Sequence, residues 1–281
     1  MRAPAKKSLG QNFLIDPHYQ RRIVDALAPG AGDAVVEIGP GHGALTGHLL
    51  GRVRRLVLVE LDRAIAARWA QELAGRTDAE LRHQDALSLD LAALGEPLEQ
   101  LKVIGNIPYN ITSPLIFHLL ERGRRAALIV LMVQREVADR ILAEPGGRSY
   151  GALSVGVRAL ADVERLFQVP RGAFRPVPGV DSSVIRLRPH RPERLGAEEE
   201  RDLRMLTRTT FGWRRKQLQR ILREAVPYRL QAEELQRLEA RGFALAARPE
   251  TIPPAGFVEL ARELRQLGRP LPEHGDAGSW E

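Results

Sequence analysis

Through its first two thirds the chain carries its apolar residues in short unbroken runs, with polar and glycine-bearing gaps between them. Residues 34–38, 55–60, 101–104 and 127–133 are short for helices and too uniformly apolar for strands with one wet face. They predict strands covered on both faces, the signature of a parallel sheet. Between them the apolar positions fall three and four apart, as at Ile23, Val24 and Leu27, or at Leu115, Ile116, Leu119 and Leu120. Those spacings predict helices, the first opened by Asp16 as cap and Pro17 at the first helical position. Helices are also expected over 64–74, 135–143 and 152–159, and strands over 80–84, 163–169 and 183–187. The last two strands are expected to run antiparallel, joined by the proline-rich stretch 174–182.

Beyond residues 189–196, rich in proline and charge, the pattern is wholly helical over 198–211, 214–225, 232–241 and 254–267. The division this predicts is an α/β domain over 1–190, a small all-helical domain over 197–268 and a disordered polar tail over 269–281.

Two strand ends carry chemistry. Directly after the strand at 34–38 comes Gly39-Pro40-Gly41-His42-Gly43, a turn tight enough to bring backbone close to a ligand at a helix start. The next strand ends in Glu60, about twenty residues after the first glycine, where a carboxylate can hold two ribose hydroxyls. This order points to an adenosine-containing cofactor. Glu37 is expected either to support the glycine loop or to touch the ligand. Asp85 ends the third strand on the same ligand-binding edge.

After the fourth strand stands Gly105-Asn106-Ile107-Pro108-Tyr109-Asn110. A polar amide, a rigid proline and an aromatic ring form a poor fold-stabilising turn but a good pocket for a flat, amine-bearing ring. The Asn106 oxygen and a backbone carbonyl near Ile107 or Pro108 can accept both N–H donors of such an amine, with Tyr109 stacked on the ring. Phe174, in the proline-rich stretch, reads equally as a core anchor or a second stacking face.

Composition narrows the choices. The chain has 281 residues, 44% of them hydrophobic, enough for one large and one small core. No apolar run approaches the length of a membrane span and no secretory signal opens the chain, so a cytoplasmic protein is expected. Cysteine is absent, which excludes disulfides and thiolate chemistry, and the histidine spacings supply no metal ligand set. Between Arg201 and Arg223 eight basic residues face one acid, an excess equal to the whole formal charge of +7. Such a concentration predicts polyphosphate binding. Arg214, Arg215, Lys216 and Arg220, with Lys6, Lys7 and Arg148, are the expected phosphate-facing cations; Trp213 reads as a core residue more readily than a stacking one.

Five motifs, in order, resemble the rRNA adenine dimethyltransferases: Gly10-Gln11-Asn12-Phe13-Leu14, Glu37-Ile38-Gly39-Pro40-Gly41, Asn106-Ile107-Pro108-Tyr109-Asn110, the Phe174 to Ser182 stretch, and Phe211 with Arg214-Arg215-Lys216. The stretch Arg148-Ser149-Tyr150-Gly151 is similar to the branch acting on small-subunit (16S) rRNA. The resemblance implies a class I, Rossmann-like methyltransferase fold with a seven-stranded sheet, and S-adenosylmethionine held by Asn12, Leu14, Gly39, Glu60, Asp85 and Asn106. It implies dimethylation of two adjacent adenosines near the 3′ end of small-subunit rRNA, in a 30S precursor; Asn106, Pro108, Tyr109 and Phe174 are the expected catalytic residues, and a monomer without a metal is expected. A large-subunit rRNA methyltransferase and a non-catalytic assembly factor on the same fold are the competing readings.

Overall fold

The structure, a computed structural model, describes residues 11–121, 125–226 and 228–268. Lys6, Lys7 and the expected tail lie outside those residues.

A short strand β1 (Phe13–Leu14) leads into helix α1 (Pro17–Leu27), where Asp16 accepts from the His18 amide at 2.8 Å and Pro17 starts the helix as its fixed φ favours. The chain then alternates through β2 (Ala34–Ile38), α2 (Thr46–Leu49), β3 (Arg55–Glu60), α3 (Arg63–Glu72), β4 (Ala79–His83), β5 (Leu101–Asn106), α4 (Thr112–Leu120) and β6 (Leu128–Gln134). After α5 (Arg135–Ile141) and α6 (Ala152–Leu160) come β7 (Ala161–Val169), β8 (Phe174–Arg175) and β9 (Ser182–Pro189). Four helices follow: α7 (Ala197–Gly212), α8 (Leu218–Glu224), α9 (Ala232–Ala240) and α10 (Pro254–Gln266).

Seven strands form one sheet in the order β4-β3-β2-β5-β6-β9-β7, while β1 and β8 pair apart from it. The strands from β4 to β6 are parallel and β9 is antiparallel to β6. The order reverses at β2, whose next strand in sequence lies on one side and β5 on the other. Such a switch point opens a crevice at the carboxyl ends of the strands. Every residue of β2 is buried, as its uniform apolar run requires of a strand covered on both faces. Register sets the geometry there: Ile38 lies opposite Val59 on β3 and Gly105 on β5, so Glu60 and Asn106 each project one residue further. Gln134 lies opposite Ser182, which brings the start of β9 to the same edge.

The described residues fall into two units. One holds those up to Ala138 with Asp162–Pro189; the other holds Asp139–Ala161 and the residues from His190 on. The second unit's main segment begins at His190, and an earlier piece containing α6 joins it. Within that unit α10 packs against α6 and α7, and Tyr150, Phe211 and Phe257 stack in series with centroids 5.9 and 5.6 Å apart. The Tyr150 hydroxyl donates to the Ile252 carbonyl at 2.7 Å.

The glycine loop, in which Gly39, Gly41 and Gly43 all adopt positive φ, gives way at Thr46 to a single helical turn. One expectation needs correction. Helix α8 starts at Leu218, not at 214, because the Lys216 amide donates to the Trp213 carbonyl and closes a turn. Arg214, Arg215 and Lys216 therefore stand in the turn between α7 and α8.

Candidate active site

The glycine loop is shaped from both sides. Gly41 holds φ +52°, and a Cβ there would meet the Phe13 ring at 3.1 Å, so only glycine combines that turn with that approach. The loop amides are tied to β3: Gly39 donates to the Val59 carbonyl at 2.9 Å, and Gly41 to Glu60 Oε2 at 3.4 Å. Glu60 also accepts from the Asp62 amide at 2.8 Å. Burial raises its carboxyl pKa, and these backbone donors work against the shift. Outside the loop Trp69 Nε1 and Arg68 Nη2 both donate to the Gly41 carbonyl at 3.0 Å.

Beneath the loop Glu37 is 1% exposed, and burial pushes its carboxyl pKa up to about 8, with Thr46 opposing the shift. An acid raised in the folded state contributes stability that is fully present below its unfolded pKa and is lost as pH rises toward the folded one. In the ligand-free protein Glu37→Gln is therefore expected to melt above the wild type at pH 9, with the gap closing by pH 5. Parallel melting curves at every pH would contradict the assignment.

At the end of β5, the Asn106 side-chain Nδ2 donates to the Asn12 carbonyl at 3.0 Å, leaving its Oδ1 to accept. The Ile107 amide donates to the Met132 carbonyl at 3.1 Å and anchors the turn to β6. The Pro108 carbonyl already accepts from the Ile111 amide at 3.2 Å and Thr112 Oγ1 at 3.3 Å. Tyr109 is fixed by a hydrogen bond of 3.2 Å between its hydroxyl and Ser182 Oγ, and burial raises its phenol pKa, so the ring remains neutral.

One open cleft of about 870 Å³, its solvent-facing mouth included, brings most of the expected residues together: Asn12, Gly39, Glu60, Asp85, Asn106, Pro108 and Tyr109. Asp85 is exposed and spends Oδ1 on the Leu87 amide, capping a short turn. Leu14 lines an adjoining cleft under the glycine loop, with Glu37 and His42. Phe174 lines neither; it is 1% exposed, paired with Leu14 and packed in the core. Of its two readings, the core anchor is the one the geometry supports, because a ring sealed in the core cannot reach a base.

The sequence reading missed the residues that hold the 11–14 segment across the cleft. Gln11 Nε2 donates to Asp62 Oδ2 at 3.2 Å, and the Phe13 and His42 rings lie 4.0 Å apart. The Gln-Asn-Phe motif was visible, but nothing in it names its distant partners.

In the helical unit, Arg148, Arg215 and Lys216 are exposed and make no ion pair among the described residues. Arg214 differs: it is half-buried, donating from Nε to Glu250 at 2.7 Å and from Nη2 to the Gly147 carbonyl at 3.1 Å. Arg220 pairs with Glu224 at 3.0 Å on an exposed helix face.

A switch-point cleft with a glycine loop, an acid at the end of β3 and an Asn-Ile-Pro-Tyr turn, on this sheet order, defines a class I methyltransferase. The family model for ribosomal RNA adenine dimethylase matches residues 2–265, and the chain belongs to that family. It is 42% identical over 264 residues to the ribosomal RNA small subunit methyltransferase A of Acidithiobacillus ferrooxidans, covering 94% of this chain and 96% of that one. The protein of that name from Aromatoleum aromaticum is 46% identical over 220 residues, covering 78% and 82%. Among solved structures, a dimethyladenosine transferase from Plasmodium falciparum matches with a TM-score of 0.77 at 27% identity, covering 91% of this chain and 98% of that one. The 23S rRNA methyltransferase ErmE matches at 0.67, also 27% identical, covering 91% and all of that chain. Among the described residues no cluster suits a metal ion and no helix is long and apolar enough to cross a membrane.

Proposed function

We infer that the protein dimethylates the 6-amino groups of two adjacent adenosines near the 3′ end of small-subunit rRNA, within a 30S precursor, using S-adenosylmethionine and releasing S-adenosylhomocysteine. The observation that carries this reading is the bonding of the Asn106 turn. Its amide nitrogen is committed to Asn12, so its oxygen remains to accept one N–H of an adenine amine. The Pro108 carbonyl is already taken by two donors, which leaves the Ile107 carbonyl to accept the other.

The donor set suits the cofactor. Glu60 would hold the ribose hydroxyls, the free oxygen of Asp85 the adenine amine, and the glycine loop the remainder. When bound, the cofactor supplies an electrophilic methyl on a positive sulfur. The residues of this chain do the rest by placement. An adenine amine is a weak nucleophile because its lone pair is delocalised into the ring. Two acceptors on its protons favour a pyramidal nitrogen with the lone pair aimed along one direction, and Tyr109 stacks on the base. Such orientation is worth up to ~7–11 kcal/mol of barrier, so no strong base is required. The proton is lost to solvent after transfer. One N–H remains for the second methylation and none afterwards, so the reaction ends at two.

The base must leave its stack to enter this pocket, which favours an unpaired or loop nucleotide. The exposed cations of the helical unit suit the surrounding phosphates. Arg215→Glu with Lys216→Glu is expected to weaken rRNA binding and flatten the salt dependence, each lost phosphate contact removing about 0.7–0.9 from the log–log slope. An unchanged slope would argue against this surface. The reaction itself is tested with labelled S-adenosylmethionine and undermethylated small subunits, followed by mapping of the modified nucleotides. Label confined to large-subunit rRNA would reject the assignment.

A further inference from the structure

Trp69 is sealed in the core at 4% exposure, but Trp213, at the end of α7, is 38% exposed. An indole more than a third exposed at a helix end gives up part of the burial that would stabilise the fold, and basic residues stand next to it in sequence. Arg215 and Lys216 follow it directly, both exposed. Arg148 is brought to the same turn by the bond from Arg214 to its neighbour Gly147.

The turn is held in place by its own bonds. The Trp213 amide donates to the Thr210 carbonyl at 3.1 Å, and the Lys216 amide returns to the Trp213 carbonyl at 2.8 Å. Between them Arg214 is clamped to Glu250 and Gly147, at 2.7 and 3.1 Å. Two positions before the tryptophan, Phe211 packs inward against Tyr150 and Phe257. The backbone of the turn is thus fixed, with a partly exposed ring and the exposed cations Arg215, Lys216 and Arg148 carried on it or next to its anchor. An aromatic ring with exposed cations near it is what single-stranded nucleic acids bind: bases stack on the ring and phosphates lie along the charges.

We propose that Trp213 is a stacking platform for an unpaired RNA base, with Arg148, Arg215 and Lys216 holding the phosphates beside it and Arg214 acting as the clamp that presents them. This rests on the RNA-binding reading above and extends it from charge to base contact. Stacking adds affinity that salt does not screen, whereas the cations supply the salt dependence.

The test titrates the full chain with a single-stranded RNA of roughly 12 nucleotides, within the site sizes typical of such surfaces, and with a duplex of equal length. Single strands are expected to quench tryptophan emission in the wild type, and the duplex is not. Trp213→Phe should remove that quench yet keep most of the affinity. Trp213→Gln should bind about 5- to 150-fold more weakly, with its salt slope unchanged. Affinity within twofold of wild type in Trp213→Gln, a changed slope, or equal quenching by the duplex would overturn the platform. Quenching by an acidic peptide and not by RNA would overturn it in favour of a protein partner. A wild type that binds no RNA at all would remove the RNA reading itself, whereas an unaffected Trp213→Gln removes the stacking alone.

Discussion

Asn106→Ala is expected to lower the rate of methyl transfer by about 10²–10³, the usual cost of removing one positioned hydrogen-bonding group that acts at a transition state. The substitution removes both halves of the amide. Loss of Oδ1 would take away one of the two acceptors proposed to orient the adenine amine, and loss of Nδ2 removes the tie to the Asn12 carbonyl in the 11–14 segment. Cofactor affinity should therefore fall as well, while rRNA binding, which we propose lies on the helical unit, should persist. Single-turnover methylation of undermethylated small subunits separates the chemical step from binding. A rate within threefold of the wild type would sink the proposed mechanism.

The second large effect lies one residue earlier. A Cβ added to Gly105 would stand 2.8 Å from the Ile38 carbonyl oxygen and 2.8 Å from Ile107 Cδ1. The Ile107 methyl can turn aside, but the Ile38 oxygen is backbone in the register partner of Gly105 on β2. Gly105→Ala must therefore push β5 from β2 at the switch point itself. Overpacking of this kind costs about 1–3 kcal/mol of stability. Because the displaced residue is the immediate neighbour of Asn106, a shift near 1 Å should also cost about 10²-fold in rate. Denaturant midpoints and single-turnover rates measure the two effects separately. Gly47→Ala in α2, where an added Cβ meets nothing within 4 Å, is the control expected to leave both unharmed. If Gly105→Ala turned over like that control, the close approach of β2 and β5 would be wrong.

What could be read from the sequence was local and periodic. The main strands were visible because each is covered on both faces and so shows an unbroken apolar run. Glu60 and Asn106 were visible because an acid or amide just past such a run sits at the edge where ligands bind. Features that depend on distant partners were not visible. The bridge between β1 and β8 is two residues long and has no period, so the clasp of 11–14 over the cleft could not be inferred. Phe174 reads identically as anchor or platform until its pairing with Leu14 is known. Arg214 looks like its neighbour Arg215 in sequence, yet Glu250, which makes it a clamp, lies 36 positions away. The allegiance of residues 139–161 to the helical unit is also a long-range matter, set by α6 packing on α7 and α10.

The bonding of Asn12 to Asn106 joins parts of very unequal firmness. Asn106 belongs to the middle strand of a seven-stranded sheet, where backbone amides exchange with solvent only when much of the domain opens. Asn12 belongs to a segment whose ties include a two-residue bridge, one ring contact and single side-chain hydrogen bonds of about 1 kcal/mol each, with Leu14 anchored in the core behind it. The site is a vice with one fixed jaw and one light jaw. Each dimethylated adenosine requires two methyl donors in turn, and if the site opens between them, the lighter jaw is the one expected to yield while the sheet stays true.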